Sequence, residues 1–272
     1  MNLSQFQWKK HGADRNVYFR PDSVGDRGVI DQIFLNEDYR VSHWPQGRAL
    51  LGQYKEKQEQ QAGKRPLIID AGANIGASAV YFHTLYREAR IVCVEPERSN
   101  CTLLRLNTDG LPVEVVEGGI SGQDGHMFLQ DPGHSDWGFR VGSTGSVRVP
   151  TVSPATILQR HDADCYPFIL KIDIEGGEQH LFDGGNLDWL TAFSLVVIEL
   201  HDWMLPFEGS SSGFMAAMGT GAFDIVFRGE NLFCFNRHLA RHLKPVELLV
   251  QAPVQAPVAV PTPVAALVAE AA

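Results

Sequence analysis

The sequence predicts an α/β protein: an open, doubly wound, mostly parallel sheet with an antiparallel hairpin at its C-terminal end. Three observations carry this. From Arg65 onward, short apolar runs alternate with helix-like segments, the rhythm of strand–helix–strand units. The first apolar run ends in a glycine-bearing turn that opens a helix. Near the C-terminus, two β-rich runs flank Gly229-Glu230-Asn231, a hairpin signal.

The elements follow in order. Residues 1–64 read as an N-terminal helical extension. "RGVIDQIFLNEDY" (27–39) has helix-like apolar spacing at Val29, Ile30, Ile33 and Phe34, and "LLGQYKEKQEQQAGK" (50–64) is a polar helix ending near Gly63. The domain itself spans 65–244. "PLIIDA" is its first strand, "GASAVYFHTLYREA" a helix, "RIVCVEP" the second strand, "RSNCTLLRLNTDG" a helix and "VEVVEG" the third strand. The stretch 121–150 breaks the rhythm with Gly, Ser and Asp, and is long enough for a hairpin and a functional loop. "PATILQRHD" is a short helix, "PFILKID" the fourth strand, "GEQHLFDGG" a helix, "FSLVVIEL" the fifth strand, and "FDIVFRGENLFCFNR" the hairpin. From 245 to 272 the chain alternates Pro, Ala, Val and Gln. Repeated prolines remove donors and block helix and central strand, so an extended, disordered tail is expected.

Composition narrows the function. With 23 Lys+Arg against 32 Asp+Glu, the net charge is −9, and a field of that sign repels phosphate backbones; nucleic acid is not the expected partner. No apolar run is long enough for a membrane span or a signal peptide, so a cytoplasmic protein is expected. The four cysteines, Cys93, Cys101, Cys165 and Cys234, form no C-x-x-C pair, which removes the common zinc and thiol-redox motifs.

The most informative stretch is "LIIDAGANIGASA". Glycines let the backbone turn sharply, and the helix behind them offers amide donors at the carboxyl end of a strand, where such sheets bind ligands. The spacing is Asp70-x-Gly72-x-x-x-Gly76, not the G-x-G-x-x-G of dinucleotide folds, and no Walker lysine follows. It looks like motif I of the class I S-adenosylmethionine-dependent methyltransferases. Twenty-five residues after Asp70, Glu95 ends the second strand, where a carboxylate can accept both hydroxyls of a ribose.

Together with "ILKIDIEGGE" and "VVIELH", these motifs resemble the FkbM family of methyltransferases over roughly residues 65–205. The K-x-D-x-E-G-x-E block is the distinctive part. The resemblance implies a Rossmann-like class I methyltransferase fold with a seven-stranded sheet, S-adenosyl-L-methionine as cofactor, and O-methylation of a hydroxyl on a sugar, polyketide or other secondary metabolite. It assigns Asp70, Gly72, Asn74 and Gly76 to the methionine end of the cofactor and Glu95 to the ribose. Asp124 falls near where such enzymes contact adenine, with Gly119 and Ile120 as equal candidates.

The acids of the block need a task. Asp173 and Glu175 lie two apart beyond the fourth strand, and Glu199 and His201 two apart beyond the fifth. If the chain stays extended, each pair shares a face, and adjacent strands would bring the four to one rim. Methyl transfer to a hydroxyl needs a proton removed. Lys171, His201 or a carboxylate (Asp173 or Glu175) could be the base, or a divalent metal such as Mg²⁺ on Asp173, Glu199 and His201 could acidify the hydroxyl. Glu178 reads as a first-turn acid favoured by its helix dipole. Trp137 either stacks on a ligand or simply packs. Two other readings stay open: a nucleotide-dependent oxidoreductase on the same sheet plan, and a non-catalytic cofactor-binding scaffold.

Overall fold

The computed structural model describes residues 2–243 apart from 13, 61–62, 131–139, 143–144, 146 and 184–185. The chain opens with strands β1 (Ser4–Trp8) and β2 (Arg15–Phe19), then helix α1 (Val24–Ile30), a π-helical turn (Asp31–Leu35) and α2 (Pro45–Gln60). There follow β3 (Arg65–Ala71), α3 (Ala77–Leu85), β4 (Arg90–Glu95), α4 (Arg98–Asn107) and β5 (Val113–Glu117). Next come β6 (Gly119–Ile120), β7 (Gly125–Gln130), β8 (Arg140–Gly142), β9 (Val147–Val152), α5 (Pro154–His161), β10 (Cys165–Ile172) and α6 (Glu178–Phe182). The last are β11 (Leu195–Glu199), α7 (Ser212–Met218), β12 (Phe223–Arg228) and β13 (Asn231–Asn236).

Seven strands form the main sheet in the order β12-β13-β11-β10-β3-β4-β5. The five from β11 to β5 are parallel, and β13 runs antiparallel to both β11 and β12. This is the doubly wound, mostly parallel sheet with a closing antiparallel hairpin that the sequence predicts. The order reverses between β3 and β10, which opens a crevice at their carboxyl ends, the place where such sheets bind ligands.

Both faces of the sheet are covered, so its strands are apolar throughout. Period-two alternation divides them. Ile68, Ile91, Phe168 and Val197 join a core with α2, α3 and α4, whereas Ile69, Val92, Leu170 and Val196 join one with α6 and α7. Truncating a fully buried ring such as Phe168 would cost about 3–5 kcal/mol.

The N-terminal segment differs from expectation. It is not helical throughout, because β1 and β2 pair antiparallel across Ser4–Phe19 and Trp8–Arg15. Phe6 and Trp8, then Val17 and Phe19, alternate at the strand period. Nor does it hang free. Trp8 packs 5.0 Å from Phe34 and 6.0 Å from Tyr81 of α3, ring centre to ring centre, inside one of the two cores. The expected hairpin in 121–150 is found: β7 pairs antiparallel with β8 and β9, and β6 parallel with β9, in a small second sheet. The Pro/Ala/Val-rich tail, 245–272, lies outside the described residues.

Candidate active site

An open cleft of about 650 Å³ lies over the carboxyl ends of β3, β4 and β10. Gly72, Asn74, Glu95, Gly119, Ile120 and Asp173 line it.

The glycine loop is held from below. Gly72 and Ala73 N–H donate to the Val94 carbonyl at 2.9 and 3.2 Å, and Gly76 N–H to Ala73 at 2.8 Å. Asn74 N–H donates to Glu95 Oε2 at 2.9 Å. The amides expected to face a ligand are therefore largely engaged within the fold. Gly72 is required for a different reason: it has φ +74°, and a Cβ there would lie 1.6 Å from the Asp173 carbonyl oxygen. Gly76, at φ +86°, lets Leu104 of α4 close against α3. Asn74 tolerates φ +48°, as asparagine does, and its Oδ1 is buried without a hydrogen-bond partner.

Two of the expected cofactor contacts are structural. Asp70 is fully buried beneath the loop, accepting from Ser78 Oγ at 2.5 Å and lying 3.3 Å from Lys171 Nζ. It does not line the cleft. Asp124 turns to α5, where its Oδ1 accepts from Ser153 N–H at 2.7 Å. Gly119 and Ile120 line the wall instead. Trp137 lies outside the described residues.

Glu95 is almost fully buried at the cleft wall. Burial pushes its carboxyl up to about 7, against the pull of donors from Asn74, Glu97 and Asn100. It belongs to the strand end and not to the helix, since α4 is capped by Glu97, which accepts from Asn100 N–H at 2.7 Å. Asn100 in turn accepts from Arg20 of the N-terminal segment at 2.8 Å. That link had no signal in the sequence, because the two residues lie 80 positions apart.

The acid rim forms as expected, by a different route. β10 ends at Ile172, and Glu175 sits at φ +51° in a turn, so strand periodicity does not align it with Asp173. Both still reach the buried His201. Its Nε2 lies 3.7 Å from Asp173 Oδ1, 3.7 Å from Glu175 Oε2 and 3.5 Å from Glu199 Oε1. Asp173, Glu199 and His201 each offer a ligand atom within 4.8 Å of the others. Glu178 corrects the helix-dipole reading. It is fully buried, and its Oε1 meets His201 Nδ1 at 2.5 Å. Spacing alone carries no signal of this, because a first-turn acid can face solvent or the core.

Two candidate bases, Lys171 and His201, sit among carboxylates. Lys171 Nζ donates to the Gly72 carbonyl at 2.7 Å and lies 3.4 Å from Asp173 Oδ2. Burial alone would discharge it, but Asp70 and Asp173 hold it well above the usual lysine range. Burial likewise opposes charge on His201, yet Glu178, Glu199 and Asp173 raise it to about 10. The surrounding carboxylates favour the charged form of both groups, the form that cannot accept a proton. Glu175 is pushed up to about 7 by burial and by the Asp173 charge. Two neighbours escaped the sequence reading. Glu230, in the closing hairpin, is raised first by the Glu199 charge. Tyr39 is raised by burial within the field of Lys171 and Asp173.

Comparison with known proteins gives the family. The methyltransferase FkbM domain family matches residues 70–221. A methyltransferase of Sordaria araneosa, sdnD, is 23% identical over 223 residues, 69% of this chain and 79% of its own. Among solved structures, a methyltransferase from Geobacter sulfurreducens is 17% identical at TM-score 0.33, covering 80% of this chain and 93% of that one. The precorrin-6y C5,15-methyltransferase of Geobacter metallireducens is 10% identical at TM-score 0.35, covering 66% and 84%. At those scores the fold rests on the strand order above. Among the described residues, no helix is long and apolar enough to cross a membrane.

Proposed function

Because the chain belongs to the FkbM methyltransferase family, we propose that it transfers a methyl group from S-adenosylmethionine to a hydroxyl oxygen of a small-molecule or glycan acceptor. The single observation that carries this is the cleft that joins Glu95 at one wall to the Asp173 rim at another.

The residues fit the cofactor. Glu95 offers a carboxylate to paired ribose hydroxyls. The apolar Gly119–Ile120 edge suits a flat base. Asn74 Oδ1, buried and without a partner, suits the ammonium of the methionine end. When bound, the cofactor supplies an electrophilic methyl on a sulfonium.

The chain's own residues do the rest. The acceptor hydroxyl donates to Asp173 at the cleft rim, which aims a lone pair of the oxygen into the cleft. Its proton would go to the carboxylate pair Asp173 and Glu175 as the sulfur–methyl bond of the sulfonium gives way to the oxygen–methyl bond and leaves the neutral thioether of S-adenosylhomocysteine. Lys171 fixes Asp173 from beneath and braces the Gly72 carbonyl, so the cofactor loop and the acceptor rim share one cation. The rim's negative charge disfavours phosphorylated acceptors and nucleic acid.

The test is a labelled-methyl assay against a panel of neutral hydroxylated acceptors. Asp173→Asn should lose methyl transfer by about a hundredfold or more while S-adenosylhomocysteine binding largely survives. Turnover like the wild type in that variant would refute the assignment.

A further inference from the structure

We propose that Asp173, Glu199 and His201 form a binding site for a divalent cation of the Mg²⁺ or Mn²⁺ class, with Glu178 orienting the imidazole and Glu175 beside the site.

His201 is the centre of the rim. Its side chain is 1% exposed, and its two ring nitrogens have different surroundings. Nδ1 is committed to Glu178 at 2.5 Å. Nε2 points into the carboxylates, yet none is at an ordinary hydrogen-bond distance. Glu199 lies at 3.5 Å, the outer limit, and Asp173 and Glu175 at 3.7 Å. A nitrogen seeking only an acceptor would close on one of them to about 2.9 Å. Instead, one ligand atom each of Asp173, Glu199 and His201 lies within 4.8 Å of the other two, close enough for a single ion to reach all three. Two ligands about 2.1 Å from one ion sit about 3.0 to 3.4 Å apart, depending on the angle between them. The Nε2 distances exceed that by only a few tenths of an ångström.

A second observation is independent of the rim. Glu178 is fully buried, and its only side-chain partners among the described residues are His201 and the Gly176 N–H. A carboxylate bonded to the far nitrogen of an imidazole fixes the ring's tautomer and raises its basicity, as in metal sites where the second nitrogen holds the ion. Glu175 Oε2 adds a buried oxygen with no hydrogen-bond partner. The donors are mainly carboxylate oxygens with one imidazole, which favours Mg²⁺ or Mn²⁺ over thiophilic ions. All four cysteines are buried and none belongs to the rim. The ion would bind the Nε2 lone pair of the neutral ring, and any proton on that nitrogen would leave to solvent.

The site stands on its own geometry; only what the ion would do rests on the methyl-transfer reading, where it would lower the pKa of the acceptor hydroxyl. Mn²⁺ alone, titrated into the full chain and followed by electron paramagnetic resonance, tests it. The expected result is one bound ion per chain and a spin-echo coupling to a single imidazole nitrogen. His201→Ala and Glu199→Gln should weaken binding at least tenfold, and Glu178→Gln by about ten- to a hundredfold. Asp162→Asn, an exposed acid far from the rim, should bind as the wild type does. The spin-echo measurement needs no variant, so a substitution that fails to fold does not spoil the test. No Mn²⁺ binding at millimolar concentration, or a spectrum without imidazole nitrogen, would overturn the proposal. If Mn²⁺ binds as described but S-adenosylhomocysteine does not bind at all, the cofactor reading fails and the cation site stands.

Discussion

Lys171 Nζ lies 3.3 Å from Asp70 Oδ1, and both side chains are almost wholly buried where β10 meets β3. The pair turns the first acid of the glycine motif into a structural anchor. Removing one partner of a buried pair strands a charge and typically costs about 3–5 kcal/mol. Lys171→Met should therefore lower the unfolding free energy by about that amount in urea denaturation. Unchanged stability would mean that Lys171 is not Asp70's counter-charge and is free for chemistry.

Gly72 and Gly110 offer a matched comparison. Their φ angles are +74° and +72°, but a Cβ on Gly72 would strike the Asp173 carbonyl, whereas one on Gly110 would meet nothing within 4 Å. Gly110→Ala should cost only the left-handed backbone term, about 1 kcal/mol. Gly72→Ala adds a clash between two backbones and should cost about 3 kcal/mol or more, with loss of S-adenosylhomocysteine binding. Equal costs in denaturant would show that the close approach of the two loops is not a constraint.

Glu95 gives a pH prediction. Its carboxyl is held near 7 by burial, so in the free protein it is mostly protonated a unit below that value and mostly ionised a unit above. Ribose hydroxyls donate hydrogen bonds, and the ionised carboxylate accepts them better. Affinity for S-adenosylhomocysteine should therefore rise with pH, by up to about tenfold per unit, and level off above about pH 8. Calorimetry across that window should find Glu95→Gln weaker and flat. A wild type whose affinity is also flat would remove Glu95 from the ribose.

The sequence made the sheet legible because its strands are buried on both faces and therefore read as continuous apolar runs. The hairpin 223–236 announced itself by its turn. The opening strands were harder: β1 and β2 are five residues each, and their alternation is short beside the helical pattern that follows. At the site, position in sequence found the rim but could not assign tasks within it. Asp70 and Asp173 are both acids at the carboxyl ends of neighbouring strands, and only burial separates the anchor from the residue that faces the cleft. Glu178 was misread for the same reason, since a first-turn acid can face solvent or the core with identical spacing. Arg20 and Asn100, distant in sequence, left no trace there at all.

The N-terminal segment should unfold with the domain. Arg20 bonds the buried Asp26 through Nη2 at 2.6 Å and Nε at 2.9 Å, and reaches Ser99 and Asn100 of α4. Asp26→Asn should lower stability by about 3 kcal/mol and weaken cofactor binding through Asn100, with a single cooperative transition retained. Two transitions, with the cleft intact after the first, would make residues 1–64 an independent unit.

The methyl-transfer proposal requires the cleft between Glu95 and Asp173 to hold S-adenosylmethionine. Titration calorimetry of S-adenosylhomocysteine into the full chain tests it most directly. One molecule per chain should bind with micromolar affinity, lost in Glu95→Ala and retained in Asp173→Asn. A nicotinamide dinucleotide should release no heat. Binding of the dinucleotide instead, or binding of S-adenosylhomocysteine indifferent to Glu95→Ala, would contradict the account.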